Sequence, residues 1–142
     1  MAVIAAESVA EILGLSKSVR TVQDLENAVS SGLPKRSLER LTGRLWTDSR
    51  VARTGVYKVV PLATWKRRKT KLSVPESERT ERLARLLALA EYVLDDKQFA
   101  REWMTRPHLE LDGRAPVDAA QTELGARRVE DILMRILFGL PV

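Results

Sequence analysis

Apolar residues recur along most of this chain at spacings of three and four, the period of a helix with one buried face. Residues 2–13 place Val3, Ile4, Val9, Ile12 and Leu13 on one side, and Gly14 supplies a stop. Thr21 with Asp24 reads as a cap for a short helix through Val22, Leu25, Ala28 and Val29, which closes at Gly32. Pro34 suits the first turn of a third helix, whose apolar face is Leu38, Leu41 and Leu45.

Residues 46–60 break this pattern. Gly55, Val56, Tyr57, Val59 and Val60 are flexible, β-branched or aromatic, so a turn or a short extended piece is expected there. Pro61 restarts the chain, and residues 61–69 read as a short basic helix. Ser73 and Glu76 then bracket Val74-Pro75 as a capping box. The long helix that follows carries Leu83, Leu86, Leu87, Ala90, Val93 and Leu94 as a stripe, either domain core or the seam of a homodimer. The pair Asp95-Asp96 marks a helix boundary, and Asp96 caps a helix with Phe99 and Trp103 in the core that ends at Pro107. Residues 108–114 form a loop with an Asp-Gly turn, and Pro116 opens a short helical segment. Thr122 caps a last helix with the stripe Val129, Ile132, Leu133, Ile136 and Leu137, closed by Gly139. The fold class expected is all-α.

Composition narrows the chemistry. With 142 residues, 44% hydrophobic and 30% charged, the chain has enough apolar material for one ordinary domain or two very small ones. It has no cysteine, which removes disulfides, thiolate zinc sites and a cysteine nucleophile. Its one histidine, His108, has no second imidazole for a metal site or relay, so it reads as a surface or capping residue. No paired catalytic acid or phosphate-cradling loop can be named. No cofactor is implied, and the chain is not expected to be an enzyme. Glu7 and Glu11 interrupt the apolar start and no basic residue precedes it, unlike a secretory signal. No run approaches the roughly 18–20 apolar residues of a membrane span, so a cytoplasmic protein is expected.

Charge is partitioned. The net +5 resolves into −2 over residues 1–33, +10 over residues 34–71 and −3 over residues 72–142. Twelve basic and only two acidic side chains share the middle block, which suits a polyanionic partner. Within it, Leu62, with or without Trp65, would tether a helix whose other faces are cationic. The candidate DNA-binding residues are Thr64, Trp65, Lys66, Arg67, Arg68, Lys69 and Lys71. Arginine can reach paired acceptors on guanine in the major groove, while lysine and arginine on phosphates add affinity without sequence information. With the short helix before it, the segment resembles a helix-turn-helix, and such proteins commonly dimerise to match paired half-sites. A membrane-surface or calmodulin-type helix would want a larger apolar face.

The C-terminal segment carries a more specific likeness. Trp103-Met104, Pro107, the Gly113-Arg114-x-Pro116 turn, Gly125-Ala126-Arg127-Arg128-Val129 and Leu133-x-Arg135-Ile136 followed by Gly139 resemble the toxin-binding domain of the MbcA/ParS/Xre antitoxins, partners of RES-domain toxins. Gly32-Leu33-Pro34 and the Leu72-Ser73 entry into the long helix resemble Xre-type members too. The resemblance implies a division at residue 72, with a helix-turn-helix region over 1–72 and a toxin-binding domain over 73–142. It also implies an antitoxin that neutralises an NAD-consuming or ADP-ribosylating RES toxin and represses its own operon through operator DNA as a homodimer. The alternative is a stand-alone regulator with a C-terminal dimerisation domain. Candidate toxin-binding residues are Arg114, Arg127, Arg128, Arg135, Phe138, Leu140, Pro141 and Val142. The segment Phe138–Val142 either plugs a concave partner site or folds back on its own domain, and Arg114 either pairs with a toxin carboxylate or only decorates a turn.

Overall fold

The structure, a computed structural model, describes residues 4–141, so Val3 and Val142 lie outside the described residues. Among the described residues it is all-α: α1 (Ala6–Ile12), α2 (Val22–Ser30), α3 (Lys35–Leu45), α4 (Ser49–Val59), α5 (Leu62–Arg67), α6 (Val74–Leu94), α7 (Lys97–Thr105), α8 (Pro116–Ala119) and α9 (Glu123–Leu137), with a 3₁₀ turn at Leu109–Leu111.

The boundaries follow local chemistry. Thr21 and Ser73 each close a reciprocal capping box, with Asp24 and Glu76 respectively. Asp48, Asp96 and Thr122 cap α4, α7 and α9 by accepting backbone N–H groups of the first turn. Gly14 and Gly139 leave their helices at φ +65° and +67°, where a side chain would be strained.

The longest helix organises the rest. α6 packs against α1, α2, α3, α4, α7 and α9. Leu83, Leu86, Leu87 and Ala90 are buried and meet Leu38, Leu41, Leu45, Met104, Val129 and Leu133 in one continuous apolar cluster. The α6 stripe is therefore domain core. Cationic side chains of α6 also hold the ends of its neighbours: Arg79 donates to the Val59 carbonyl at 3.1 Å, and Arg82 to the Ala120 and Gln121 carbonyls at 3.1 Å each. Lys58 on α4 and Asp118 on α8 form a direct link of 2.7 Å.

Four expectations are corrected. Residues 46–60 hold a regular helix, α4, whose Ala52, Gly55, Val56 and Val59 are buried at helical spacing. Packing on α3 overrides the β-branched composition, and Gly55 is there for room, since a Cβ would meet the Trp46 ring. The basic helix is shorter than residues 61–69. It stops at Arg67 because the following segment pairs antiparallel with residues 33–35, through Lys35 N–H to the Thr70 carbonyl (2.9 Å) and Leu72 N–H to the Leu33 carbonyl (2.8 Å). Its apolar tether is Trp65, partly buried against the core, while Leu62 is largely exposed. Phe99 is 51% exposed; on α7 it is Ala100 and Met104 that face the core, with Trp103 half-buried.

Candidate functional site

Two surfaces concentrate the candidate chemistry. The first is built by α4 and α5. α4 ends at Val59, two residues intervene, and α5 begins at Leu62 after Pro61 fixes the turn. The Val60 side chain is fully buried beneath this turn, so the two helices share one footing. α5 spans only six residues and exposes Lys66 and Arg67, with Thr64 half-buried and hydrogen-bonded to the Arg67 guanidinium at 3.2 Å. Lys69 and Lys71 are exposed just beyond it, and Lys71 Nζ donates to the Ser31 carbonyl at 3.4 Å.

The candidate DNA-binding residues thus divide. Thr64, Lys66, Arg67, Lys69 and Lys71 line the outward side. Trp65 turns inward, its ring 4.1 Å from the Lys35 ammonium. Arg68 forks onto Glu76 with two contacts of 3.0 Å. Glu76 is buried, which pushes its carboxyl up, but the Arg68 fork and the Ser73 amide and hydroxyl together outweigh this and hold it below the ordinary value. The same contact raises Arg68.

Free charge is found on this surface and beyond it, since Arg40 lies over Gly14 at the end of α1. Of the twelve cations in residues 34–71, only Arg44, Lys58 and Arg68 lie within 4.0 Å of a carboxylate among the described residues. Arg36, Arg40, Arg50 and Arg53, which sequence reasoning did not single out, are exposed without such partners. Arg53 lines a recess of about 290 Å³ with Trp46 and Trp65, between α3, α4 and α5. The signal for these four was their place in the +10 block; the reading of 46–60 as irregular hid Arg50 and Arg53, while Arg36 and Arg40 lie on α3, whose apolar face alone was read.

The second surface runs along α9 and the loop before α8. The loop is closed on itself by His108 N–H to the Arg114 carbonyl and Gly113 N–H to the His108 carbonyl, each 3.0 Å. His108 packs on Trp103, with ring centroids 4.8 Å apart and Nε2 2.8 Å from the Trp103 carbonyl. Arg128 ties α9 to the loop through Asp112 (3.0 Å) and the Glu110 carbonyl (2.8 Å). Arg114 is exposed, with Nε donating to the Leu111 carbonyl at 3.2 Å. Arg127 sits 3.9 Å from Glu123 and Arg135 2.8 Å from Asp131, both one helical turn away.

The apolar residues of this surface face outward. Phe138 is 57% and Leu140 56% exposed, and Pro141 is exposed as well. Leu140 N–H donates to the Arg135 carbonyl (2.8 Å), which fixes the turn that presents them. Leu109 and Leu124, both exposed, were not anticipated. On α9, Leu124, Arg128, Asp131, Arg135 and Phe138 follow one another at helical spacing, so they share one face.

Residues 88–139 match the family model for the antitoxin Xre/MbcA/ParS C-terminal toxin-binding domain. Over this segment the chain is similar to the Xre/MbcA/ParS antitoxins. The matched stretch begins inside α6, takes in the closed loop and ends at Gly139, so it contains the whole α9 face. An antitoxin Xre of Pseudomonas putida strain KT2440 is 33% identical over 84 residues, which cover 57% of this chain and 53% of that relative. The chain thus spans about half the length of the curated relative it matches. Among the described residues no group of acidic or histidine side chains is arranged to hold a metal, and no helix is long and apolar enough to cross a membrane.

Proposed function

We propose that this protein is the antitoxin of a toxin–antitoxin pair, and that it binds a RES-domain toxin through the α9 face and the exposed Phe138–Pro141 segment while α4 and α5 bind operator DNA to repress its own operon. The observation that carries the reading is the match of residues 88–139 to a toxin-binding domain over a stretch that ends in outward-facing apolar side chains. Exposed aromatic and aliphatic groups beside fixed charges are the usual material of a protein–protein anchor. Phe138 and Leu140 would enter a concave site on the toxin, with Arg114, Arg127, Arg128 and Arg135 around them. Val142, beyond the described residues, belongs to the same proposal. The division of labour is between residues 1–72 and 73–142, although both halves share one apolar core.

The DNA half rests on the exposed cations without carboxylate partners around the two-residue turn between α4 and α5. Two copies reading paired half-sites complete the proposal, with a seam away from the α6 leucines, which are committed to the core. The deciding experiment co-expresses the tagged chain with the product of the adjacent gene. Growth rescue and a co-purifying complex support the reading. A chain that shifts DNA in a gel but captures no partner and rescues no growth would identify a stand-alone regulator instead.

A further inference from the structure

Lys35 occupies a position that local rules disfavour. It is the first residue of α3, followed by Arg36, and the first turn of that helix holds no acidic side chain. A helix N-terminus carries the positive end of the macrodipole and prefers anions. Pro34, at the N-cap, offers no side-chain hydrogen bond either. A cation tolerated there has a reason elsewhere in the fold.

The reason lies across the bundle. Lys35 Nζ donates to the Trp65 carbonyl and to the Arg68 carbonyl, both at 3.0 Å, and stands 4.1 Å from the centroid of the Trp65 ring. Those carbonyls belong to the last turn and C-cap of α5; the Trp65 carbonyl also accepts from the Arg68 N–H at 3.2 Å, so the ammonium adds a second donor there and supplies one to the Arg68 carbonyl. α5 has six residues and none is fully buried, and a helix that short does not persist on its own. What orients it must come from outside. Arg68 is held by Glu76, and the chain after it is pinned to residues 33–35 by two backbone hydrogen bonds. Lys35 touches both the end of the helix and its aromatic tether.

We propose that Lys35 is a positioning residue for DNA recognition: its ammonium caps the carboxyl end of α5 and clamps Trp65, which fixes the direction in which Thr64, Lys66 and Arg67 are presented. The proposal rests on the reading of α5 as the recognition helix. Lys35→Met retains the apolar stem and removes the cap, Lys35→Gln is the second variant should methionine promote aggregation, and Lys35→Arg restores a cation of similar reach. The measurements are amide hydrogen exchange over residues 64–68 and binding, across a salt series, to two duplexes: the region upstream of this protein's own gene and a shuffled duplex of equal length.

In Lys35→Met, amide protection over 65–68 is expected to fall about tenfold with overall helix content unchanged. Preference for the upstream duplex over the shuffled one should fall about tenfold as well. The salt dependence should keep its slope, and Lys35→Arg should recover most of both losses. Unchanged protection in a variant that still binds overturns the proposal. So does a slope that drops by about one with preference intact, because that marks Lys35 as a direct phosphate contact. If the wild type binds neither duplex, or Arg67→Ala binds as well as the wild type, the recognition-helix reading fails and takes the positioning role with it. Unchanged protection in Lys35→Met, in a chain whose Arg67→Ala variant loses binding, removes the positioning role alone.

Discussion

At the scale of single residues, Glu76 does more than cap α6. Its carboxylate accepts from the Ser73 amide at 2.8 Å and from the Arg68 fork, so one buried group joins the start of the longest helix to the end of the basic one. Because its folded-state pKa lies below the ordinary value of about 4.3, the stability it contributes is complete above that value and is lost as pH falls through the folded-state pKa. Glu76→Gln is expected to lower stability at pH 7 by about 1–3 kcal/mol, since a charged hydrogen-bond acceptor is replaced by a weaker one. Denaturation followed from pH 7 down to pH 3 should show the gap between wild type and variant closing in acid; a gap that stays constant removes the linkage. Asp95 presents the opposite case. It ends α6 in the left-handed region at φ 52° and places a negative charge at a helix C-terminus. Both features disfavour it, so Asp95→Gly should raise stability by about 0.5–1 kcal/mol in a denaturant titration. A destabilised variant would reveal a contact that the geometry does not contain.

At the scale of elements, what was legible depended on whether local signals and packing agreed. Thr21, Ser73, Asp96 and Thr122 announce their helices by chemistry that acts within three residues, and each caps as read. α4 failed that test because its evidence is nonlocal. Asp48 caps it, and Ala52, Val56 and Val59 keep the helical period, yet Gly55 and the valines argue for a turn until Trp46 is seen to occupy the space above the glycine. Gly55→Ala decides between propensity and packing. Propensity alone would add about 0.5–1 kcal/mol. Crowding the Trp46 ring should cost about 1–3 kcal/mol, so a net loss in thermal stability is expected. A more stable variant would mean that Trp46 moves aside freely. The same limit applied to the candidate surfaces. The +10 block was visible in sequence, but that Trp65 turns inward, that Arg68 pairs with Glu76 and that Phe99 faces outward required the fold. On α9 the outward direction of Phe138 and Leu140, which sequence left open, comes from a turn fixed by Gly139 and the Arg135 carbonyl.

At the scale of the whole molecule, two surfaces with different physics sit on one apolar core, and each should fail separately. On the proposed DNA surface, neutralising roughly five phosphates gives a slope of about −4.5 in log affinity against log salt. Binding to a duplex should therefore weaken by about 10²–10³-fold between 50 and 200 mM salt. The Lys66→Ala/Arg67→Ala double variant should flatten that slope by about two units, and an unchanged slope would move the DNA surface away from α5. The proposed α9 surface calls for a different perturbation, because its anchors, Phe138 and Leu140, are apolar and salt screens charges rather than apolar contacts. Deleting residues from Phe138 onward removes the outward-facing Phe138, Leu140 and Pro141 but none of the fully buried core side chains, among which Leu133 is the last. The shortened chain should keep its cooperative unfolding and its salt-dependent affinity for DNA. It should no longer co-purify with the toxin or rescue growth, because the side chains proposed to enter the partner's cavity are gone while the scaffold that carried them stands. Full neutralisation by the shortened chain would transfer the anchoring role to Leu109, Leu124 and the charged residues of α9 beyond Leu124. Loss of both activities together would show that the two surfaces are coupled through α6, which clamps the ends of α4 and α8 with Arg79 and Arg82.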